Sequence, residues 1–276
     1  AYEITARLVG SEMCIRDSTM KLKKLIITFF LLPAAFGYAQ TQSTQIIAHR
    51  GFWKTNGSAQ NSIAALMKAD SVGCYGSEFD VWLTDDDQLV VNWSSVFKGV
   101  NMQESTVKEC TAIVLDNGEH LPTLQEYLEK ARNLKTRLIL ELKAHKTREQ
   151  ETRAVKKILK MVKGMELEDR MEYITFSRHV AKEFVRLAPK GTPVYYQEGD
   201  LSPKELKEWG CTGPNYRLNV FRQHPEWIKE CHDLGMKVNA FPIDNTDDIK
   251  WLISQGIDYI TTNEPVKLQE IIREKQ

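Results

Sequence analysis

The sequence predicts an α/β protein folded as one TIM (β/α)8 barrel with a small insertion after strand 2, and three observations carry that expectation. From Gln45 onward, eight short strand-like apolar runs alternate with eight amphipathic helical stretches over roughly 235 residues, against ~250 for a typical barrel of this kind. The competing architecture, an open doubly wound sheet, would normally show a Gly-rich turn after its first strand. The segment there reads AHRGFW, which is not G-x-G-x-x-G. No low-complexity linker interrupts the alternation, so residues 40–276 are expected to form a single domain.

In chain order, QIIAH is the first strand and NSIAALMKADSVG the first helix. GSEFDVWL is strand 2. Leu89 to Leu121 departs from the alternation and is read as an extra strand plus a small insertion. Asp85-Asp86-Asp87 before it is a polar hairpin turn, a place Asp suits. TLQEYLEKARN then leads into strand 3, RLILELK, and the long helix REQETRAVKKILKMVKGM. EYITFS, PVYYQ, YRLNVF, KVNAF and DYITT are strands 4 to 8. Between them lie the helices RHVAKEFVRLA, SPKELKEWG, HPEWIKECHDLG and NTDDIKWLISQG, and PVKLQEIIRE closes the chain. Start and stop signals agree: Ser202 caps a helix with Pro203 in its first turn, and Gly210, Gly235 and Gly256 each follow a helix.

Charge excludes some partners. Lys+Arg and Asp+Glu both total 37, so nothing argues for nucleic acid or a polybasic membrane arm. Near the start, Met20-Lys-Leu-Lys-Lys precedes LIITFFLLPAAFGYAQ: a basic start, an apolar core, then small residues. This reads as a secretory signal peptide over 20–39, cleaved after Ala39, which implies a periplasmic or extracellular protein. The apolar run is short of the ~20 residues a span needs, so no stable membrane insertion is expected. Residues 1–19, with SEMCIRDS, read as translated adapter DNA, a non-native extension. Beyond residue 39, Cys74, Cys110, Cys211 and Cys231 lack CxxC spacing and are read as structural thiols or one bridge rather than a metal site.

In a barrel, chemistry sits at the C-terminal ends of strands. Strand 1 ends IIAHRG, strand 2 contains SEFDV and strand 3 reads LILELK. Period-2 geometry puts Glu78 and Asp80 on one face, and likewise Glu141 and Lys143. Three carboxylates converging on one mouth repel unless a hard cation such as Mg²⁺ or Ca²⁺ neutralises them. Arg50 and Lys143 supply positive charge for phosphate oxygens, and His49 can transfer a proton. Together these amount to metal-assisted phosphoester chemistry.

These residues carry a resemblance. IIAHRGFWKTNGSAQNSIAAL, GCYGSEFDVWLTDDDQLVV, LPTL, LILELK, LGMKVNAF and GIDYITTNEP resemble the glycerophosphodiester phosphodiesterase family from about Ile46 to Pro265. The resemblance implies a TIM barrel that hydrolyses a small-molecule glycerophosphodiester to glycerol 3-phosphate and an alcohol, using one divalent cation, Mg²⁺ or Ca²⁺. It places the family's first-strand His and Arg on His49 and Arg50, its metal-binding acids on Glu78, Asp80 and Glu141, and its phosphate-binding Lys on Lys143. One departure stands out. Where the family has His-Asp after E-x-D, and that His is the second acid/base, this chain has Trp93-Ser94. An indole N–H does not titrate usefully, and loss of a general acid typically costs about 10²–10⁴ in rate. Gln60 replaces an acid before the matching Asn61, and TNEP replaces an Asp-bearing end. Two function classes follow: an exported phosphodiesterase of reduced rate, or a family member that binds metal and a phosphodiester or sugar phosphate without efficient turnover.

The remaining candidates have plainer readings. His120, His145, His179, His224 and His232 are read as surface residues, with His120 or His145 able to approach the mouth. Trp53, Trp82 and Trp93 are candidates to line a pocket, Trp82 equally a core residue. Tyr195 or Tyr196, ending strand 5, is a candidate to flank the substrate.

Overall fold

The structure is a computed structural model that describes residues 43–274. The expected non-native extension at 1–19 and signal peptide at 20–39 lie outside the described residues. In order, the elements are β1 (Gln45–Ala48), α1 (Ile63–Ser71), β2 (Gly76–Leu83), β3 (Leu89–Val91), β4 (Val96–Phe97), β5 (Val100–Asn101), α2 (Val107–Thr111), α3 (Leu124–Ala131) and β6 (Arg137–Leu142). Then come α4 (Arg148–Gly164), β7 (Met171–Thr175), α5 (Arg178–Leu187), β8 (Val194–Tyr196), α6 (Pro203–Glu208) and β9 (Gly213–Tyr216). The last are α7 (Leu218–Gln223), α8 (Glu226–Asp233), β10 (Asn239–Ala240), α9 (Thr246–Ser254), β11 (Tyr259–Thr262) and α10 (Pro265–Arg273).

Strands β1, β2 and β6 to β11 pair in parallel, and β11 pairs back onto β1 with Gln45 opposite Tyr259. The sheet therefore closes, which leaves no barrel edge to protect. Ile47, Ile139, Ile174 and Tyr195 fill the floor of the barrel. Gly76 faces them because a Cβ there would lie 2.9 Å from Ile139 Cγ1. The predicted insertion is present. β3 runs antiparallel to the far end of β2, β4 and β5 form a small hairpin, and α2 follows. Trp82, Val90, Met102 and Cys110 form the insertion's own core, so Trp82 is a packed core residue. The Asp85–Asp87 turn is as expected: Asp87 has φ 58°, and Asp86 accepts from Thr84 Oγ1 and from the backbone N–H of Val107.

Four sequence readings need correction or resolution. The strand predicted over YRLNVF ends at Tyr216, and Leu218–Gln223 is helical. β9 instead begins at Gly213, where a Cβ would lie 1.7 Å from the Lys237 carbonyl oxygen. Only glycine permits that approach, so residues that look like turn punctuation form the strand. Tyr195 lies in the floor and Tyr196 packs on Trp209, so both rings are buried in packing contacts. Cys74, Cys110, Cys211 and Cys231 are all buried free thiols. Among the described residues no helix is long and apolar enough to cross a membrane.

His145 is the fourth. It is no surface residue: its Nε2 accepts from the Leu83 N–H at 2.9 Å, its Nδ1–H donates to the Lys143 carbonyl at 2.7 Å, and its ring packs on Trp82. Burial pushes its pKa down from 6.5 to about 4. A depressed His binds its proton first in the unfolded chain. Its stability contribution is therefore full above about pH 6.5 and is lost as pH falls toward 4, by about 2–3 kcal/mol at most. His49 titrates in the same window. His145→Gln keeps an acceptor and cannot titrate, so urea unfolding at pH 7 and pH 4.5 should show a smaller acid loss than in wild type. Equal losses would contradict the tether.

Candidate active site

The mouth is assembled from the turns that follow the strands. After β1 the chain enters a left-handed turn at Arg50 (φ 57°) and Gly51 (φ 73°). The Gly51 N–H donates to the carbonyls of Ala48 and Glu78. A Cβ at Gly51 would lie 2.6 Å from Ala65 Cβ, so only glycine fits. The turn aims the Arg50 N–H at Glu78 Oε2, 2.7 Å away. The Arg50 side chain places Nε 3.5 Å from Asp80 Oδ2, donates from Nη1 to Gln60, and lies 4.7 Å over the Trp93 ring. Gln60, noted in the sequence only as a departure, thus holds the guanidinium.

Glu78, Asp80 and Glu141 come together as expected, each offering an oxygen within 4.8 Å of the others. All three are buried, and their surroundings differ. Asp80 receives Lys143 Nζ at 2.6 Å and Asn61 Nδ2 at 2.8 Å. Against the cost of burial, Lys143, Arg50 and Asn61 hold its pKa below the usual carboxylate range. Glu141 also receives Lys143 at 2.6 Å, yet burial and Asp80 keep it raised. Glu78 Oε1 has no hydrogen-bond partner. Burial, then Asp80 and Glu141, lift Glu78 well above its ordinary value. Three carboxylates against Arg50 and Lys143 leave one negative charge uncompensated, together with a buried oxygen that lacks a donor. That is a site a divalent cation fits.

His49 lies beside this cluster, pushed down to about 4 by burial and by Arg50. Its Nδ1 is 2.9 Å from Asn263 Oδ1. Among the described residues, no other His joins the mouth. His120 sits in a pocket with Ile63, Thr111 and Glu126, His179 pairs with Thr152, His224 stacks on Trp227 and His232 pairs with Asp258. Trp53 does reach the site, donating from Nε1 to Asn263 Oδ1 at 3.0 Å. The sequence reading missed Asp244, which follows β10 and holds Asn263. Its only signal was a carboxylate just beyond a barrel strand, in FPIDN.

A comparison with protein-family models matches residues 49–267 to the glycerophosphoryl diester phosphodiesterase family. The chain belongs to that family. It is a phosphoric diester hydrolase, as the resemblance implied. A crystal structure of a glycerophosphodiester phosphodiesterase from Parabacteroides distasonis is 46% identical, with TM-score 0.83 over 85% of this chain and 98% of that one. A glycerophosphodiester phosphodiesterase of Caldanaerobacter subterraneus is 27% identical over 83% of this chain and 98% of its own length. An Oleispira antarctica phosphodiesterase, solved with the product sn-glycerol-3-phosphate, shares the fold at 24% identity and TM-score 0.71, over 84% of this chain and 97% of that one.

Proposed function

We propose that this family member is an exported, metal-dependent phosphodiesterase that releases glycerol 3-phosphate from glycerophosphodiesters, slowed by the loss of one proton donor at Trp93. The observation that carries the reading is the charge arrangement: three convergent carboxylates, two cations and one orphaned oxygen on Glu78. Glu78, Asp80 and Glu141 would hold the metal, Mg²⁺ or Ca²⁺ by their all-oxygen chemistry. When bound, such an ion supplies Lewis-acid polarisation of a phosphoryl oxygen and adds positive charge where a phosphodiester anion must sit. Arg50, whose planar fork suits paired phosphate oxygens, and Lys143, a point charge, hold the anion. His49, unprotonated near neutral pH, is the proton acceptor. The product complex of the Oleispira phosphodiesterase supports glycerol 3-phosphate as the product class.

Release of glycerol 3-phosphate from a glycerophosphodiester should require added Mg²⁺ or Ca²⁺ and stop with a chelator. Turnover unaffected by chelation would sink the metal requirement. Export rests on the basic-then-apolar segment at 20–39. Mass spectrometry of protein from the periplasm or medium should find a chain beginning near Gln40, and an uncleaved segment in the membrane fraction would overturn that reading.

A further inference from the structure

Asn263 stands between a histidine and a carboxylate, and its hydrogen bonds admit one arrangement. Its Nδ2 lies 2.8 Å from Asp244 Oδ2, an atom that only accepts. Its Oδ1 must then face the other way, toward Trp53 Nε1 at 3.0 Å, which only donates, and toward His49 Nδ1 at 2.9 Å. An amide oxygen carries no proton, so the proton in that contact belongs to His49. The ring is therefore the Nδ1–H tautomer, with the lone pair on Nε2. Asp244 is itself held: its Oδ1 accepts from Thr262 Oγ1 and from the Asn263 backbone N–H, each at 2.8 Å. Lys54, paired to Glu264 at 2.7 Å and 3.8 Å from Asp244, adds charge on the outer side.

We infer that Asp244, acting through the Asn263 amide, is a positioning residue that fixes the tautomer and orientation of His49, leaving Nε2 as the atom that takes the proton. This rests on the reading of His49 as the proton acceptor. The chain places its negative charge one residue away from the imidazole, with a neutral amide between. A carboxylate at position 263 would hold the ring too, but would favour the imidazolium, which cannot accept a proton. The arrangement orients His49 without charging it.

Asp244→Asn tests this with almost no change of shape. The new amide can still accept from Thr262 and from the Asn263 backbone, but its NH₂ now meets the NH₂ of Asn263. Asn263 must turn over or move, and its donor then points at two other donors, His49 Nδ1–H and Trp53 Nε1–H. Two-bond ¹H–¹⁵N correlation spectra of the imidazoles, with His49→Ala to assign the signal, report the tautomer directly, with no turnover involved. Wild type should show protonated Nδ1 and bare Nε2 at His49. Asp244→Asn should lose that pattern and lower kcat about 10-fold or more with KM little changed, in the range set for misplaced general bases. The exchange Asp244→Asn with Asn263→Asp restores a donor–acceptor match and should restore the proton on Nδ1, with Nε2 now taking up a proton at higher pH than in wild type because a carboxylate faces the ring. An unchanged His49 pattern in Asp244→Asn, or an Nε2–H ring in wild type, overturns the relay. A changed pattern with unchanged kcat leaves the relay standing and removes His49 from the catalytic reading instead.

Discussion

Glu78→Gln is expected to abolish measurable binding of a divalent cation while leaving the protein folded. Charge decides the outcome. With Gln at 78, the carboxylates of Asp80 and Glu141 are matched one for one by Arg50 and Lys143, both already in contact with them. No net negative charge then remains to draw a cation out of water. Loss of an outer-shell partner costs about 10–100-fold in metal affinity, and loss of the least compensated ligand should cost more. The fold should survive because Gln keeps an oxygen for the Arg50 N–H and removes a buried charge that lacks a partner. Titration calorimetry with Mg²⁺ and Ca²⁺ on both proteins decides this, and equal binding would refute the assignment. The wild-type titration carries a second signature. Burial, Asp80 and Glu141 raise the Glu78 pKa, so protons compete with an arriving cation for this carboxylate. Affinity should therefore rise with pH. The apparent enthalpy should also differ between buffers of different ionisation enthalpy.

Much of this was legible in local sequence because local rules governed it. The period of two in SEFDV and LILELK placed the acids and Lys143 on inward faces, and the closed parallel sheet needed only the alternation of elements. The cap at Ser202 and the positive-φ glycines at 210, 235 and 256 followed the expected punctuation. What escaped was set by partners distant in sequence. Gly213-Pro214 reads as a turn until the Lys237 carbonyl is seen to crowd it. His145 reads as a surface residue until the Leu83 N–H, at the end of another strand, claims its Nε2. Asn263 registered only as a missing Asp. That the charge had moved to Asp244, on the preceding loop, required the fold to bring the two together. Trp93 registered as a missing His, and nothing local could place its ring beneath the Arg50 guanidinium.

That placement shapes the other large expected effect. Trp93→His with Ser94→Asp restores the family pair and should raise turnover of glycerophosphodiesters by about 10²-fold or more, the lower range of what a general acid supplies. An alkoxide leaves poorly unless protonated, and among the described residues His49 is the only His at the mouth. A nitrophenyl phosphodiester releases a phenolate that hardly needs the proton, so its rate should change little. The contrast matters because Trp93 does two things. Half-exposed at 37%, it lacks a transferable proton and also stacks on Arg50. Such a contact is worth roughly 0.5–1 kcal/mol at an exposed site, enough to bias Arg50 but not to build a catalytic centre. If Trp93 matters only as an aromatic platform, Trp93→Phe should behave like wild type toward both substrates, and the double change should weaken anion binding without a gain in rate. If the centre lacks only its acid, the double change should accelerate the poor leaving group alone, and His49→Ala should abolish that gain. A failure to gain with any substrate would overturn the reading of a centre that lacks only its acid.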